Sequence, residues 1–357
     1  MKKLLLLFLV VFVSNSVFSQ FSDTTSLLEP VVQTIEQTSI FDDNLPIDLT
    51  LKYDISSFMK NKKKGEYLDA LLVVHINDID SVVKKIRLKA RGNFRRGYCI
   101  FPPIYLNFKT DPIKNTDLKE IKKMKLVTHC SMLKTYQDYI IKEYLAYKIY
   151  NQLTDLSFRV KLVNINYIDT GKKGRTYTKE GFLIEPIDLL IKRTKSVEVN
   201  GNFVNADKVI DEDMARVALF EYLIGNTDWR IKGGHNMKYI KLFDELSPKV
   251  TPVPYDFDFA GFVHTNYAKP QEWTSIKSVT EREYLGYCNI NDEILLKTID
   301  KFIQDKEKFY SIINDCNALS NKEKRRLLDF VKGFYNEAAS PQLMLKTLKR
   351  ECRDTDF

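Results

Sequence analysis

The chain has little of what marks the common classes of catalytic and metal site. Its five cysteines include no C-x-x-C pair, which argues against a structural zinc site. Its histidines form neither an H-E-x-x-H motif nor a Ser-His-Asp spacing, so the sequence does not indicate a zinc protease or a triad hydrolase. No G-x-G-x-x-G occurs, and the Walker spacing from Gly92 to Gly97 is followed by Tyr98, where that motif requires lysine. The ordinary phosphate-binding loops are therefore excluded.

Long apolar runs are also scarce. Residues Lys2 to Ser19 combine a basic start, an apolar run and small residues ahead of Gln20, which is typical of a secretory signal. No other stretch has the roughly 20 apolar residues that a membrane span needs. The sequence predicts an exported protein, cleaved after Ser19, that is secreted, periplasmic or on the cell surface without stable membrane insertion. Export permits disulfides, but the spacing of the cysteines does not indicate which would pair.

A strong charge imbalance is absent. The formal net charge is +8, and two of the lysines, Lys2 and Lys3, belong to the predicted signal. Lysines run through Lys60 to Glu66 and Lys119 to Lys125, but no aromatic residues interleave with them as nucleic-acid binding requires. We expect these runs to be solvated faces or turns, and we expect no nucleic-acid partner.

The pattern of apolar residues divides the chain into a strand-rich and a helical half. Residues 20–46 read as a linker or arm. Alternating segments then predict an antiparallel sheet, and a long helix is predicted from Ser131 to Leu153. Two more strands follow, joined by the hairpin loop GKKGRTYTKE. Beyond Leu190 the pattern is mostly helical. The predicted strands are IDLTLKYDI, ALLVVHIN, VVKKIRLKA, PPIYLNFK, RVKLVNINYI and GFLIEPIDLL.

Acidic and amide side chains gather around a predicted β-hairpin. The segment from Asp211 to Asn226 fits a helix that stops at Gly225, and Asp228 follows on a loop. The strands MKYIKLF and VTPVPYDFDF flank the turn DELSPK, so Asn236 and Asp256 are expected to face one another across the open end.

The same hairpin predicts a metal site. Asp256 and Asp258 would share one face of an otherwise apolar strand, where two like charges are unfavourable without a cation or donor. Asp and Asn oxygens are the ligands that hard cations such as magnesium prefer. We therefore expect Asn236 and Asp256 to bind Mg²⁺ or Mn²⁺, with Asp258 as a further ligand or a support.

Several motifs together resemble those of the spore-coat protein H (CotH) kinase family, an atypical branch of the kinase-like proteins. They are the RG turn at Arg91 and Gly92, EGFLIEPID, NTDW and PYDFD. The resemblance implies an α+β, two-lobed protein-kinase-like fold, with a β-rich lobe at 47–190 on the nucleotide side and a helical lobe at 191–357. It also implies transfer of the γ-phosphate of ATP to a hydroxyl of an exported protein or polysaccharide.

In that scheme Asp228 is the catalytic residue. It would accept or orient the proton of the acceptor hydroxyl, while Asn236 and Asp256 hold the metal. The eight-residue spacing from Asp228 to Asn236 exceeds the five of ordinary kinases. His235 and Asn226 are therefore alternatives to Asn236.

The expected nucleotide contacts begin with Arg91 and Arg95 of the loop ARGNFRRG, because the arginine fork suits phosphate oxygens. A basic turn in water is the alternative for this loop. The resemblance implies Lys109 as the phosphate-binding lysine with Glu143 as its partner, although Lys89 and Lys142 are nearby. It also implies that Glu185 borders the adenine site.

Two other functions compete with the kinase. One is an exported surface or adhesion protein without catalysis, since exported compartments contain little ATP. The other is a metal-dependent hydrolase or nuclease built on the same acids.

Overall fold

The computed structural model describes residues 40–41, 45–75, 81–108, 121–172 and 174–354. The predicted signal and most of the predicted linker lie outside these ranges. Within them the chain forms ten strands and nine α-helices. The strands are β1 (Ile47–Tyr53), β2 (Leu68–His75), β3 (Ser81–Ala90), β4 (Ile104–Asn107), β5 (Lys123–Val127), β6 (Val160–Asp169), β7 (Thr176–Ile184), β8 (Ser196–Val199), β9 (Met237–Leu242) and β10 (Thr251–Pro254). The helices are α1 (Ile55–Asn61), α2 (Arg95–Tyr98), α3 (Lys134–Leu153), α4 (Ile187–Arg193), α5 (Asp211–Ile224), α6 (Asp292–Gln304), α7 (Lys306–Asn314), α8 (Asn321–Ala338) and α9 (Pro341–Glu351).

The first seven strands close into a barrel in the order β1-β2-β3-β4-β5-β7-β6. Neighbouring strands are antiparallel except β1 and β6, which pair in parallel from Ile47 opposite Val163 to Tyr53 opposite Asp169. The two-lobed kinase-like fold with an antiparallel sheet was therefore a wrong prediction: the fold is α+β with a closed, mixed barrel. Closure pairs both edge strands, which an open sheet would leave with unpaired backbone groups.

Alternation of side chains explains why the barrel strands form. In β3 the residues Ile86, Leu88 and Ala90 are buried while Arg87 and Lys89 point outward. The inward residues join one hydrophobic cluster that includes Leu51 of β1 and fills the barrel. Period-two burial of this kind gives each strand one apolar and one polar face.

A second, larger hydrophobic cluster joins helices α3 and α5 to α9 to the β8-β9-β10 sheet. Helix α3 is buried on nearly all sides, because it packs against β7 on one side and α5 and α7 on the other. The cluster takes residues from both sides of position 190, so the division into 47–190 and 191–357 stays a prediction.

The boundaries of several elements differ from the sequence prediction. GFLIEPIDLL is a strand only to Ile184, since Pro186 precedes the first turn of α4 and helix N-termini accommodate proline. The predicted loop GKKGRTYTKE is shorter, because β7 already begins at Thr176. Strand β5 was missed: it lies in the lysine run that we expected to be a solvated face or turn. Helix α5 and its stop at Gly225, which has a left-handed φ of 62°, are confirmed.

Two disulfides join distant parts of the chain. One links Cys99, next to α2, to Cys130, ahead of α3, and the other links Cys288 to Cys352. Cys316 is a free thiol. Disulfides persist in oxidising compartments, so both bonds are consistent with an extracellular protein. Across the described ranges, we find no helix with both the length and the apolar content to cross a bilayer.

Candidate active site

One cavity of about 310 Å³ collects most of the residues that the sequence analysis selected. It lies between the loop that follows β3, the loop that follows α5 and the open end of the β9-β10 hairpin. The selected residues in its lining are Arg91, Arg95, Asp228, Asn236, Asp256 and Asp258, with the alternative His235. The rest of the lining comprises Gly92, Asn93, Phe94, Pro103, Phe259 and Gln271.

Asp228 is held in place by hydrogen bonds on both sides of its carboxylate. His235 Nε2 lies 2.7 Å from Oδ1, and Asn236 Nδ2 donates to Oδ2 at 3.0 Å and to the Asp228 carbonyl at 2.7 Å. The backbone N–H of Asp228 donates to Oδ1 of Asn226. The hydrogen bond to Asp228 raises the pKa of His235 against the opposing effect of burial. The loop from Asp228 to Asn236 thus folds back so that its last two residues bind its first.

The hairpin places Asn236 and Asp256 at its open end, but not directly opposite one another. Met237 pairs with Pro254, and the backbone N–H of Tyr255 donates to the Asn236 carbonyl, so the register differs by one residue from the prediction. Asn236 and Asp256 both have positive φ angles, 52° and 68°. Asn and Asp tolerate this left-handed conformation better than most residues, and it turns both side chains out of the ladder.

The prediction that Asp256 and Asp258 share a strand face was wrong. Strand β10 ends at Pro254, and both acids lie in the loop beyond it. Their carboxylates nevertheless converge, because both contact Arg95. The backbone N–H of Asp256 donates to the hydroxyl of Tyr147 on α3 at 2.8 Å, which ties this loop to the central helix.

Arg95 of α2 is the centre of a buried ion-pair cluster. Its guanidinium binds both oxygens of Glu143 at 2.8 and 3.2 Å and Oδ1 of Asp256 at 2.6 Å. Its Nε lies 3.2 Å from Oδ2 of Asp258, which also accepts a hydrogen bond from Tyr267. The three carboxylates lie within 4.8 Å of one another, and Arg95 is 5 % exposed. One arginine therefore contacts all three acids, and its single positive charge offsets only part of their negative charge.

The surroundings of the three acids shift their pKa values in different directions. Burial raises the pKa of Asp258 well above its usual range despite Arg95, and the charges of Asp256 and Glu143 add to the effect. Burial also raises the pKa of Glu143 against the effect of Arg95. For Asp256 burial acts in the same direction, but Arg95, Arg91 and Lys125 outweigh it and lower its pKa. Asp256 is therefore the member of the cluster that stays ionised to the lowest pH.

Arg91 has an unusual environment for a buried cation. It is 8 % exposed, and its Nε and Nη1 have no hydrogen-bond partner among the described residues. Its guanidinium carbon lies 5.7 Å from the centroid of the Tyr105 ring. Buried polar groups are almost always paired, and a charged group left without a partner is costly. Because Arg91 lines the cavity, its positive charge would favour an anionic ligand there.

Lys125 is a residue near the site that the sequence analysis missed. It lies on β5, and its Nζ is 4.7 Å from the centroid of the Tyr255 ring, next to Asp256 in sequence. Burial lowers the pKa of Lys125 to about 8, with a further contribution from Arg91. The alternation KMKLV was the available signal, since it predicts a strand with lysines on one face.

The remaining predicted residues lie elsewhere. Glu185 does not line the cavity. Its carboxylate is bound instead by Arg193 and by the backbone N–H of Arg159. Lys142 pairs with Glu323 at 2.6 Å. Lys109 lies outside the described residues, so its expected pairing with Glu143 stays a prediction, although Arg95 already binds both oxygens of that carboxylate.

Neither a scan against protein-family models nor a search of the curated proteins finds a match for this chain. The resemblance to the CotH family therefore stays a prediction from the motifs.

Proposed function

We propose that this protein is a metal-dependent phosphotransferase that moves the γ-phosphoryl group of ATP to a hydroxyl acceptor. The observation that carries the proposal is the buried Arg91, which lines the same cavity as Asp228, Asn236 and Asp256 and has two guanidinium nitrogens without a hydrogen-bond partner among the described residues. A cavity with an unsatisfied arginine on one side and oxygen ligands on the other suits a phosphate chain with its metal ion. Phosphoryl transfer asks the protein mainly for such positioning and charge neutralisation.

Arg91 is the phosphate contact in this scheme, and Lys125 adds positive charge nearby. Arg95 lines the same cavity, but its guanidinium is occupied by three carboxylates. We assign Arg95 the role of positioning Asp256 beside the phosphates. Arg95 is thereby left with little capacity for the expected direct contact with the nucleotide.

Asp228 is the residue that would take the proton of the acceptor. His235 and Asn236 orient its carboxylate from opposite sides, so the group is held rigidly at the cavity wall. A positioned carboxylate of this kind contributes about 100- to 10,000-fold to proton transfer.

The donor set fits a hard divalent cation. Asn236 directs its amide nitrogen to Asp228, and its amide oxygen has no hydrogen bond within the described ranges. Asp256 is bound by Arg95 through Oδ1, which leaves Oδ2 as a ligand atom. Mg²⁺ or Mn²⁺ held here would neutralise charge on the phosphates of ATP.

The test is transfer of labelled phosphate from ATP by the purified protein, with Mg²⁺ or Mn²⁺, to exported proteins and polysaccharides. Asp228→Asn and Asp256→Asn should lose transfer at least 100-fold while their melting temperatures stay close to that of the wild type. Arg91→Met should weaken ATP binding about tenfold or more, because a desolvated charged contact is lost. The matched control is Asp244→Asn at the exposed hairpin tip.

Full transfer by both aspartate variants would refute the assignment. Retained ATP binding without any transfer would indicate the alternative, an exported protein that binds nucleotide without catalysis. If the melting temperature does not respond to ATP with either metal, the proposal that the protein binds a nucleotide is refuted.

Export by a signal that is cleaved after Ser19 belongs to the same proposal, and the two disulfides support an oxidising compartment. The mass of the mature protein from the secreted fraction checks the cleavage position.

A further inference from the structure

The outer surface of the barrel carries a cluster of cations beside the cavity. Arg87 and Lys89 lie on β3, and Lys123 and Lys125 lie on β5; we call these four residues the basic face. Strand β4 runs between the two pairs, since Arg87 pairs with Asn107 and Asn107 with Lys123. Two residues further along β3, Lys89 pairs with Tyr105 and Tyr105 with Lys125. The cations therefore form two rows, one on each side of β4.

These cations have few anionic partners of their own. Within the described ranges no ion pair joins any of the four to a carboxylate, and Nε of Arg87 has no hydrogen-bond partner. Their close neighbours are tyrosines. Arg87 and Lys89 lie 5.2 and 5.4 Å from the centroid of the Tyr67 ring, and Lys123 lies 5.9 Å from that of Tyr105.

We propose that the basic face binds an extended acidic polypeptide. Two strand spacings separate β3 from β5, so the rows lie about 10 Å apart. An extended chain directs successive side chains to opposite sides, at about 3.3 Å per residue. The Tyr67 side chain reaches from Arg87 to Asn107 and Lys123, and Tyr105 lies on β4 itself, so both tyrosines stand between the rows. A run of consecutive Asp or Glu residues laid over these tyrosines would therefore meet the β3 row and the β5 row in turn.

The tyrosines favour a peptide over the other polyanions. Single-stranded nucleic acids bind by stacking bases on open aromatic faces between the cations, and sugar rings likewise need an uncovered platform. Here the cations themselves cover Tyr67 and Tyr105. The surface instead presents positive charges in two rows about 10 Å apart, a distance that suits the side chains of an extended peptide.

The basic face leads into the cavity. Arg91 follows Lys89 by two residues and continues the same side of the chain, and it lines the cavity that contains Asp228. A bound acidic segment would thus bring a neighbouring hydroxyl towards Asp228. This use as an acceptor site rests on the proposed phosphotransferase, whereas binding itself does not.

The experiment measures fluorescence anisotropy of a labelled nona-glutamate peptide with the full-length protein, without nucleotide or metal. A nine-residue Gly-Ser peptide is the uncharged control. Arg87→Gln with Lys123→Gln should raise the dissociation constant about tenfold, and 200 mM salt should weaken binding relative to 50 mM. The control variant is Lys332→Gln with Lys346→Gln on α8 and α9, which removes the same charge from exposed positions and should change the constant less than twofold.

Three results would overturn the proposal: no salt-sensitive binding of nona-glutamate, an equal loss in the control variant, or tighter binding of a nine-unit oligogalacturonate or oligo-dT. The assay contains no ATP, so a failed phosphotransferase test leaves its outcome unaffected.

Discussion

Replacing Arg95 tests the electrostatic core of the candidate site. Arg95→Met keeps the length of the side chain but removes the only cation that contacts Glu143, Asp256 and Asp258 in the described part of the chain. Removing one partner of a buried ion pair costs about 3–5 kcal/mol, because the remaining charge stays desolvated. Three carboxylates within 4.8 Å of one another should place this variant at the upper end of that range.

The loss should depend on pH in a defined direction. Burial already raises the pKa values of Asp258 and Glu143 in the wild type, and without Arg95 the carboxyl pKa values of the cluster should rise further, so the variant must bind more protons to fold. A raised carboxyl pKa stabilises the fold below the unfolded value, near 4, and this contribution is lost as pH rises. For each proton that the folded state binds in excess of the unfolded state, the free energy of unfolding falls by about 1.4 kcal/mol for every unit by which the pH rises. The deficit of Arg95→Met relative to wild type should therefore be smaller at pH 5 than at pH 8.

Urea denaturation of both proteins at the two pH values, in EDTA to exclude metal ions, measures this deficit. Arg96→Met is the matched control, because Arg96 is the next residue of α2 and lies in no ion pair among the described residues. It should cost less than about 1 kcal/mol. Adding Asp258→Asn to Arg95→Met should restore part of the stability. The reasoning is refuted if Arg95→Met and Arg96→Met are equally stable, or if the deficit is the same at both pH values.

Two further predictions concern buried titratable groups. Burial, with a smaller contribution from Lys179, lowers the pKa of His129 to about 3. The unfolded chain therefore binds this proton at a higher pH than the folded protein, and the free energy of unfolding should fall as the pH drops below 6.5. In urea titrations His129→Phe should remove this part of the acid dependence. Burial raises the pKa of Glu221 to about 8, against the hydrogen bond from Asn226. Stability from its protonated form is lost as pH rises from about 4.5 to 8, so Glu221→Gln should be more stable than wild type at pH 8 but not at pH 4.5; equal denaturation midpoints at pH 8 would contradict this.

Elements with a clear local period could be predicted from the sequence. Helix α5 begins at Asp211 as expected and ends at Gly225, because the spacing of its apolar residues and a glycine in the left-handed region are local signals. The β9-β10 hairpin was found for the same reason. Strand β5 was missed because its lysines dominated the local composition, although its alternation was correct.

The barrel could not be predicted in this way. Its closure depends on the parallel pairing of β1 with β6, where Asp48 lies opposite Asn164. Nothing in either segment identifies a partner that is more than a hundred residues away, since strands of both orientations show the same alternation. The expected antiparallel sheet was wrong because it did not include this parallel pair.

By itself the sequence identified the polar residues of the cavity, because Asp228, Asn236, Asp256 and Asp258 stand between apolar segments whose local structure is readable. Tertiary structure alone decided their partners. Arg95 lies 48 residues from Glu143 and 161 from Asp256, and Arg91 is orphaned only because the fold buries it. Ion pairing and desolvation depend on distances across the fold, and a local sequence pattern does not predict those distances.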